Sequence, residues 1–280
     1  MRGFITFATA SIALSFALSL PAVAAGAKSN AKAQNRIVDD GYAKTALSLS
    51  DEKLPQNFKG YSCTEIVKGL QSLNIKKDEF ETKQEFEDRL MNDGLKKLSG
   101  SITAADPMIF VYNKSLSDFK YDPESQAFKG RSYFGKDGML KEGYELFDAA
   151  PLVILSNSRK SYIGVNGFGA STKVEESSTK VCGVIFKQAK KKTIYGPLKI
   201  EYNIPMASEK ARELKDSLKI AFVGALSIPY LGRYVSFSKP TVSSPYDISI
   251  TGDAIVIRLE EVWVFDEKTG EIFARVQPSE

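Results

Sequence analysis

Tyr162-Ile163-Gly164-Val165-Asn166-Gly167-Phe168-Gly169-Ala170-Ser171-Thr172-Lys173-Val174 reads as a long central strand interrupted by its glycines. The spacing Gly164-x-x-Gly167-x-Gly169 reverses that of a dinucleotide-binding loop, and no helix start follows to aim N–H groups at a phosphate. Glycine inside a strand instead marks a bend, a bulge or the close approach of another backbone. Asn166 tolerates positive φ. The stretch is therefore expected to be the bent strand of a sheet, with Asn166 and Phe168 as candidate binding residues on its surface loop.

Upstream, Pro151-Leu152-Val153-Ile154-Leu155 is an apolar run suited to a strand buried on both faces, and Asn157-Ser158-Arg159-Lys160 reads as a turn. Downstream, Glu175-Glu176-Ser177-Ser178 reads as a second turn. Residues 179–186 return as a strand with Cys182, Val184 and Phe186 on one face. Leu198, Ile200, Tyr202 and Ile204 alternate with polar residues, the pattern of a half-buried strand that Pro205 ends. Ser208 is placed to cap a short helix burying Ala211 and Leu214, after which Leu218, Ile220 and Phe222 switch to a period of two. Pro229-Tyr230-Leu231-Gly232 reads as a turn before a short strand with Val235 and Phe237. The last hairpin spans 254–265 and 271–276, joined through 266–270. A bulge at Glu260-Glu261 is needed to bring Ile255, Ile257, Leu259, Val262 and Val264 to one face.

Before the opening stretch, Ile66, Leu70 and Leu73 are spaced for one helical face. Thr82 and Glu85 form a capping box for a second helix, whose buried face carries Phe86 and Leu90. The acids 78, 79, 81, 85, 87 and 88 suit the positive end of that helix without any metal. From Pro107 the chain alternates through Ile109 and Val111, then Phe119 and Tyr121, and turns at Asp122-Pro123-Glu124-Ser125; this reads as a hairpin, with 130–143 as a glycine-punctuated loop. Short connections favour antiparallel pairing. The expected class is α+β: a predominantly antiparallel twisted β-sheet with two N-terminal helices and one later inserted helix, forming a single domain over 61–280. Residues 25–60, poor in large apolar side chains, are expected to be a flexible linker.

Residues 1–24 read as a signal peptide: a short basic start, an uncharged run over 4–20, then Ala22-Val23-Ala24 as a cleavage pattern. The mature protein is expected in the periplasm or secreted, with no transmembrane segment after signal removal. The formal net charge of +4 is spread along the chain and implies no nucleic-acid partner. Cys63 and Cys182 are the only two cysteines, and in an oxidising compartment they are expected to form a disulfide.

The chain contains no histidine, which excludes the usual serine and cysteine triads and imidazole metal sites. Glu260, Glu261 and Asp266 flank Trp263 and Phe265 and are the pairable acids for a glycan hydrolase. Acids beside strand aromatics are ordinarily rim residues, so no catalytic residue, metal ligand or cofactor is assigned. Lys190, Lys191 and Lys192, with Lys187 upstream, are a candidate contact for anionic envelope material.

Three segments taken together, Phe80-Glu81-Thr82-x-x-Glu85-Phe86-x-x-Arg89, Asn166-Gly167-Phe168-Gly169 and Val262-Trp263-Val264-Phe265-Asp266-x-x-Thr269-Gly270-Glu271, resemble uncharacterised exported proteins of bacteria. The likeness covers most of the chain after residue 60 and implies no activity. The expected function is a non-enzymatic exported protein that binds an unknown protein or envelope component. The competing expectations are a carboxylate-dependent hydrolase acting on glycan or cell wall, and an accessory subunit of an envelope assembly.

Overall fold

The computed structural model describes residues 41–73, 77–93, 95–112, 119–140, 145–187 and 197–278. The expected signal peptide, the first part of the expected linker and Lys190, Lys191 and Lys192 lie outside them. The first described elements are α1 (Cys63–Ser72), α2 (Lys83–Asp93), β1 (Lys97–Ser99), β2 (Ile102–Thr103) and β3 (Met108–Tyr112). Next come β4 (Lys120–Asp122), β5 (Ala127–Phe134), β6 (Gly138–Leu140), β7 (Leu146–Val165) and β8 (Ser171–Phe186). The chain continues through β9 (Leu198–Pro205), α3 (Ser208–Leu214), β10 (Leu218–Ser238), β11 (Tyr246–Asp266) and β12 (Ile272–Val276). Strand dominates, the sheets are largely antiparallel, and three helices accompany them, as an α+β reading expects.

The main sheet closes on itself. β6 pairs β7, β7 pairs β8, β8 pairs β11, β11 pairs β10, and β10 returns to β6. The β8–β11 pairing is parallel, against the expectation of antiparallel neighbours, because the two strands are brought together by their separate partners β7 and β10 rather than by a connecting turn. The interior of this small barrel is filled by Ala149, Val181, Ile185, Tyr234, Ala254 and Val256. Closure depends on missing side chains at the β6–β10 seam. A Cβ on Gly232 would lie 2.6 Å from Ile185 Cδ1 and 2.8 Å from the Met139 carbonyl oxygen, and one on Gly138 would lie 2.7 Å from Ile185 Cγ1. All three contacts are closer than real Cβ atoms come, so glycine is what lets the short strand β6 seal the barrel.

Strand alternation gives β8 a second role. Cys182, Val184 and Phe186 point away from the barrel into a larger core shared with α1, β3, β9, α3, the first half of β10 and the second half of β11. There Phe134, Phe186 and Phe222 form an edge-to-face cluster with centroids 4.8 to 5.6 Å apart. The sheet β4-β5-β9 closes this core with the alternating face of β9, where Leu198, Ile200, Tyr202 and Ile204 are buried. α1 packs its expected face, Ile66 and Leu70 being fully buried, and the Cys63–Cys182 disulfide fixes it to β8. At α2 the capping box forms: Thr82 N–H donates to Glu85 Oε2 at 2.8 Å and Glu85 N–H donates to Thr82 Oγ1 at 3.2 Å. Leu90 is buried and Phe86 half-buried.

Several expectations are corrected. Residues 41–60 are not a free linker: Leu54 and Phe58 join the large core, and Leu54 N–H donates to the Gly270 carbonyl at 2.8 Å. Arg275 holds the same segment by donating to the carbonyls of Leu49 and Asp51. Asn157-Ser158-Arg159-Lys160 and Glu175-Glu176-Ser177-Ser178 do not turn; they pair with each other in the middle of β7 and β8. Ile154 and Leu155 are exposed rather than buried on both faces. Pro229-Tyr230-Leu231-Gly232 lies within β10 as an irregularity in its register with β11. Residues 127–134 and 138–140 are strand, so the glycine loop is shorter than expected. β3 pairs with β10, while the Asp122 turn joins β4 to β5. Ala207, one residue before Ser208, occupies the N-cap of α3 and makes no side-chain cap.

Candidate functional site

Beyond the barrel, β7, β8, β11 and β10 continue side by side as an open, four-stranded arm. Its longest part is the β7–β8 hairpin, whose pairing runs without interruption from Ser156↔Lys180 to Val165↔Ser171. Serine, threonine and charged residues occupy both of its faces, which are largely solvated; only Val174, opposite Tyr162, and Thr179, opposite Asn157, are buried. Lys160 and Glu176 face each other across the ladder with an ion pair at 3.2 Å, and Lys173 pairs with Glu175 at 2.8 Å. Tyr162 donates its hydroxyl to Asp247 Oδ2 at 3.3 Å, which links β7 to β11. Partial desolvation and the Asp247 carboxylate hold the Tyr162 phenol above its usual range.

The stretch read as a bent strand is the end of this hairpin. β7 stops at Val165, the chain reverses through Asn166-Gly167-Phe168-Gly169, and β8 begins at Ser171. Asn166 makes the turn, but not through positive φ. Its Oδ1 accepts the N–H groups of Phe168 and Ala170, each at 3.0 Å. Asn166 N–H donates to the Ala170 carbonyl, and Gly169 N–H donates to the Asn166 carbonyl, both at 3.0 Å. Gly169, at φ +82°, supplies the left-handed residue the reversal needs. Phe168 is thrust outward and is 98% exposed. Ile163 and Val165 are also exposed, so the two nominated residues sit on one apex, Asn166 shaping it and Phe168 presented by it.

The carboxylates nominated for hydrolysis are held by local partners. Glu261 Oε2 accepts Trp263 Nε1–H at 2.6 Å, and Glu260 Oε1 accepts from Arg258 Nη2 at 2.7 Å. The expected bulge is present, since Val223 pairs with Glu261 and Gly224 with Leu259, leaving Glu260 as the extra residue. Asp266 accepts Thr269 N–H at 3.0 Å and Thr269 Oγ1–H at 2.6 Å, stabilising the turn into β12. Burial pushes the Asp266 carboxyl up, and hydrogen bonds led by Ser217 and Thr269 more than reverse this. The shifts resolved at Glu65, Glu81, Glu85, Asp122 and Glu201 are likewise downward, opposite to what a general acid requires. In the acid cluster around α2, Glu81 receives a two-pronged bond from Arg89 at 2.8 and 2.9 Å, and Glu85 serves the cap. Among the described residues no group of three or more His, Cys, Asp or Glu side chains is arranged to hold a metal.

One surface escaped the sequence reading. On the outer face of β4-β5-β9, Lys120, Lys129, Arg131 and Tyr133 border an open groove of about 750 Å³ together with Glu201 and Asn203. Its cations are largely matched, Lys129 by Asp122 at 2.8 Å and Arg131 by Glu201 at 3.0 Å. The signal is the alternation Lys129-x-Arg131-x-Tyr133, which the glycines of 130–143 mask by suggesting a loop. Comparison with protein-family models, curated proteins and solved structures gave no match.

Proposed function

We propose that this is an exported protein of the bacterial periplasm whose work is binding, and that it meets a partner or envelope component through the outer end of the arm. The observation that carries the proposal is where apolar surface is left in water. Tyr162, Ile163, Val165, Phe168 and Phe237 are all exposed on the arm, with Ile163, Val165 and Phe168 gathered at its outer end, and a concentration of exposed apolar surface marks an interaction site. Export is supported by the signal-like residues 1–24 and by the disulfide, a bond that persists in oxidising compartments. No helix among the described residues is long and apolar enough to cross a membrane.

The test is capture from envelope extract with the wild-type protein and with Phe168→Ser, both immobilised at the end remote from the arm. Material retained by wild type and lost by the variant supports the reading. Identical retention by the two refutes it. Export is checked separately by sequencing the N-terminus of the protein recovered from the periplasm, which is expected to begin near Ala25.

A further inference from the structure

We infer that the apex of the β7–β8 hairpin enters the boundary between headgroups and acyl chains of an anionic phospholipid bilayer. This rests on the reading of the arm as the contact surface and names what it contacts. Residues 161–172 contain no charged side chain. At their centre Phe168 is 98% exposed, with Val165 at 66% and Ile163 at 67%, so the leading surface is aromatic and aliphatic.

The backbone of the apex is also prepared to leave water. In an apolar medium each unmatched N–H is costly, and this is the main barrier to placing a turn among acyl chains. Here the N–H groups of Asn166, Phe168, Gly169 and Ala170 are all bonded within the turn, two of them to the one side-chain oxygen of Asn166. A turn built to recognise a protein partner by hydrogen bonds would present such donors outward; of the five from Asn166 to Ala170 this one withholds four, Gly167 being the exception.

Behind the apex the charge is positive. Over residues 156–180 the basic side chains are Arg159, Lys160, Lys173 and Lys180 and the acidic ones are Glu175 and Glu176, four against two. Lys173 is directly opposite Ile163, one ladder step from Tyr162, and its side chain is 64% exposed; that of Lys160 is 72% exposed. Their ion pairs to Glu175 and Glu176 are solvent-exposed and correspondingly weak, so phosphate headgroups can compete for the same ammonium groups. Aliphatic stems along the hairpin let those groups reach the headgroup layer while the apex lies deeper.

The experiment uses the exported protein after removal of residues 1–24, with vesicles of phosphatidylglycerol and phosphatidylethanolamine compared with vesicles of phosphatidylcholine. Co-sedimentation with the anionic vesicles is expected, reduced roughly tenfold by Phe168→Ser and reduced by added salt. Phe168→Trp provides a direct readout. The chain has a single native tryptophan, Trp263, which is fully buried, so a blue shift and quenching by brominated lipid report position 168. No association with anionic vesicles, or association that Phe168→Ser leaves unchanged, overturns the proposal; equal association with phosphatidylcholine overturns the choice of headgroup. If vesicles are ignored while Phe168→Ser still loses capture of a lipid-free envelope protein, the bilayer is wrong and the arm reading stands. If the variant changes neither, both fall.

Discussion

The barrel and the arm are made by the same four strands, β7, β8, β10 and β11, yet they obey opposite rules. In the barrel the alternate side chains of β8, Val181 and Ile185, are sealed inside, and Cys182, Val184 and Phe186 are sealed outside. In the arm the continuation of the same strand exposes Ser171, Lys173, Glu175, Ser178 and Lys180, and buries only Val174 and Thr179. Pairing continues through both regions, while burial thins to Val174 and Thr179 on the arm part of β8. A backbone ladder therefore fixes where the strands run, and side-chain packing fixes which part of them can be altered without loss of the fold.

The largest effect that sharpens this contrast is expected from the disulfide at the junction. Replacing Cys63 and Cys182 by alanine opens a loop with a sequence separation of 119 residues and is expected to cost about 4–5 kcal/mol in urea unfolding, by the chain-entropy relation. Next, Phe222→Ala removes the centre of the aromatic cluster, a fully buried ring, with an expected loss of about 3–5 kcal/mol. Gly232→Ala tests the barrel seam: its new Cβ meets the Met139 carbonyl, and a loss of about 1–3 kcal/mol is expected. In the arm, Gly167→Ala meets nothing within 4 Å, so a change below about 0.5 kcal/mol is expected. A seam substitution as mild as the apex one would break the distinction between the two regions.

A smaller effect depends on pH. The Arg89 guanidinium holds the Glu81 carboxyl at about 2, against 4.5 for the free group. Because the folded value is depressed, the stability it contributes is complete above the unfolded value and is lost as pH falls through the folded one. The wild-type Tm should thus exceed that of Glu81→Gln at about pH 6, and the gap should narrow by about pH 3. A gap that does not change with pH removes the ion pair as its cause.

Legibility in the sequence followed the range of the interactions. Ile66 and Leu70 in α1 with Leu73 at its C-cap, the Thr82–Glu85 cap, the alternation of β9 and the bulge at Glu260 are each signalled by neighbours within a few residues, and each is readable. Asn157–Lys160 and Glu175–Ser178 carry turn-forming residues, so their propensity indicated reversal; pairing of one with the other overrode it. Barrel closure was invisible because it joins Gly138 to Tyr234 and Val181 to Gly252, contacts no local pattern encodes. At the candidate site the sequence identified Asn166 and Phe168 but assigned them to a bend. What distinguishes the two is the side-chain carbonyl of Asn166 reaching forward to two backbone donors, a matter of geometry rather than composition.

The position of Cys182 also has a mechanical side. It lies at the base of the arm, opposite Val153 and next to the barrel residue Val181. Tension drawn along β8 from a captured hairpin reaches this sulfur one residue after Val181, the first barrel side chain on its path, and the bond to Cys63 offers it a covalent route into α1 and the chain that precedes it. The rest of β8, from Gly183 onward, is thereby shunted from the load: the hairpin behaves as a lever anchored by a bolt, and the ladder hydrogen bonds behind the bolt need not bear what the tip encounters.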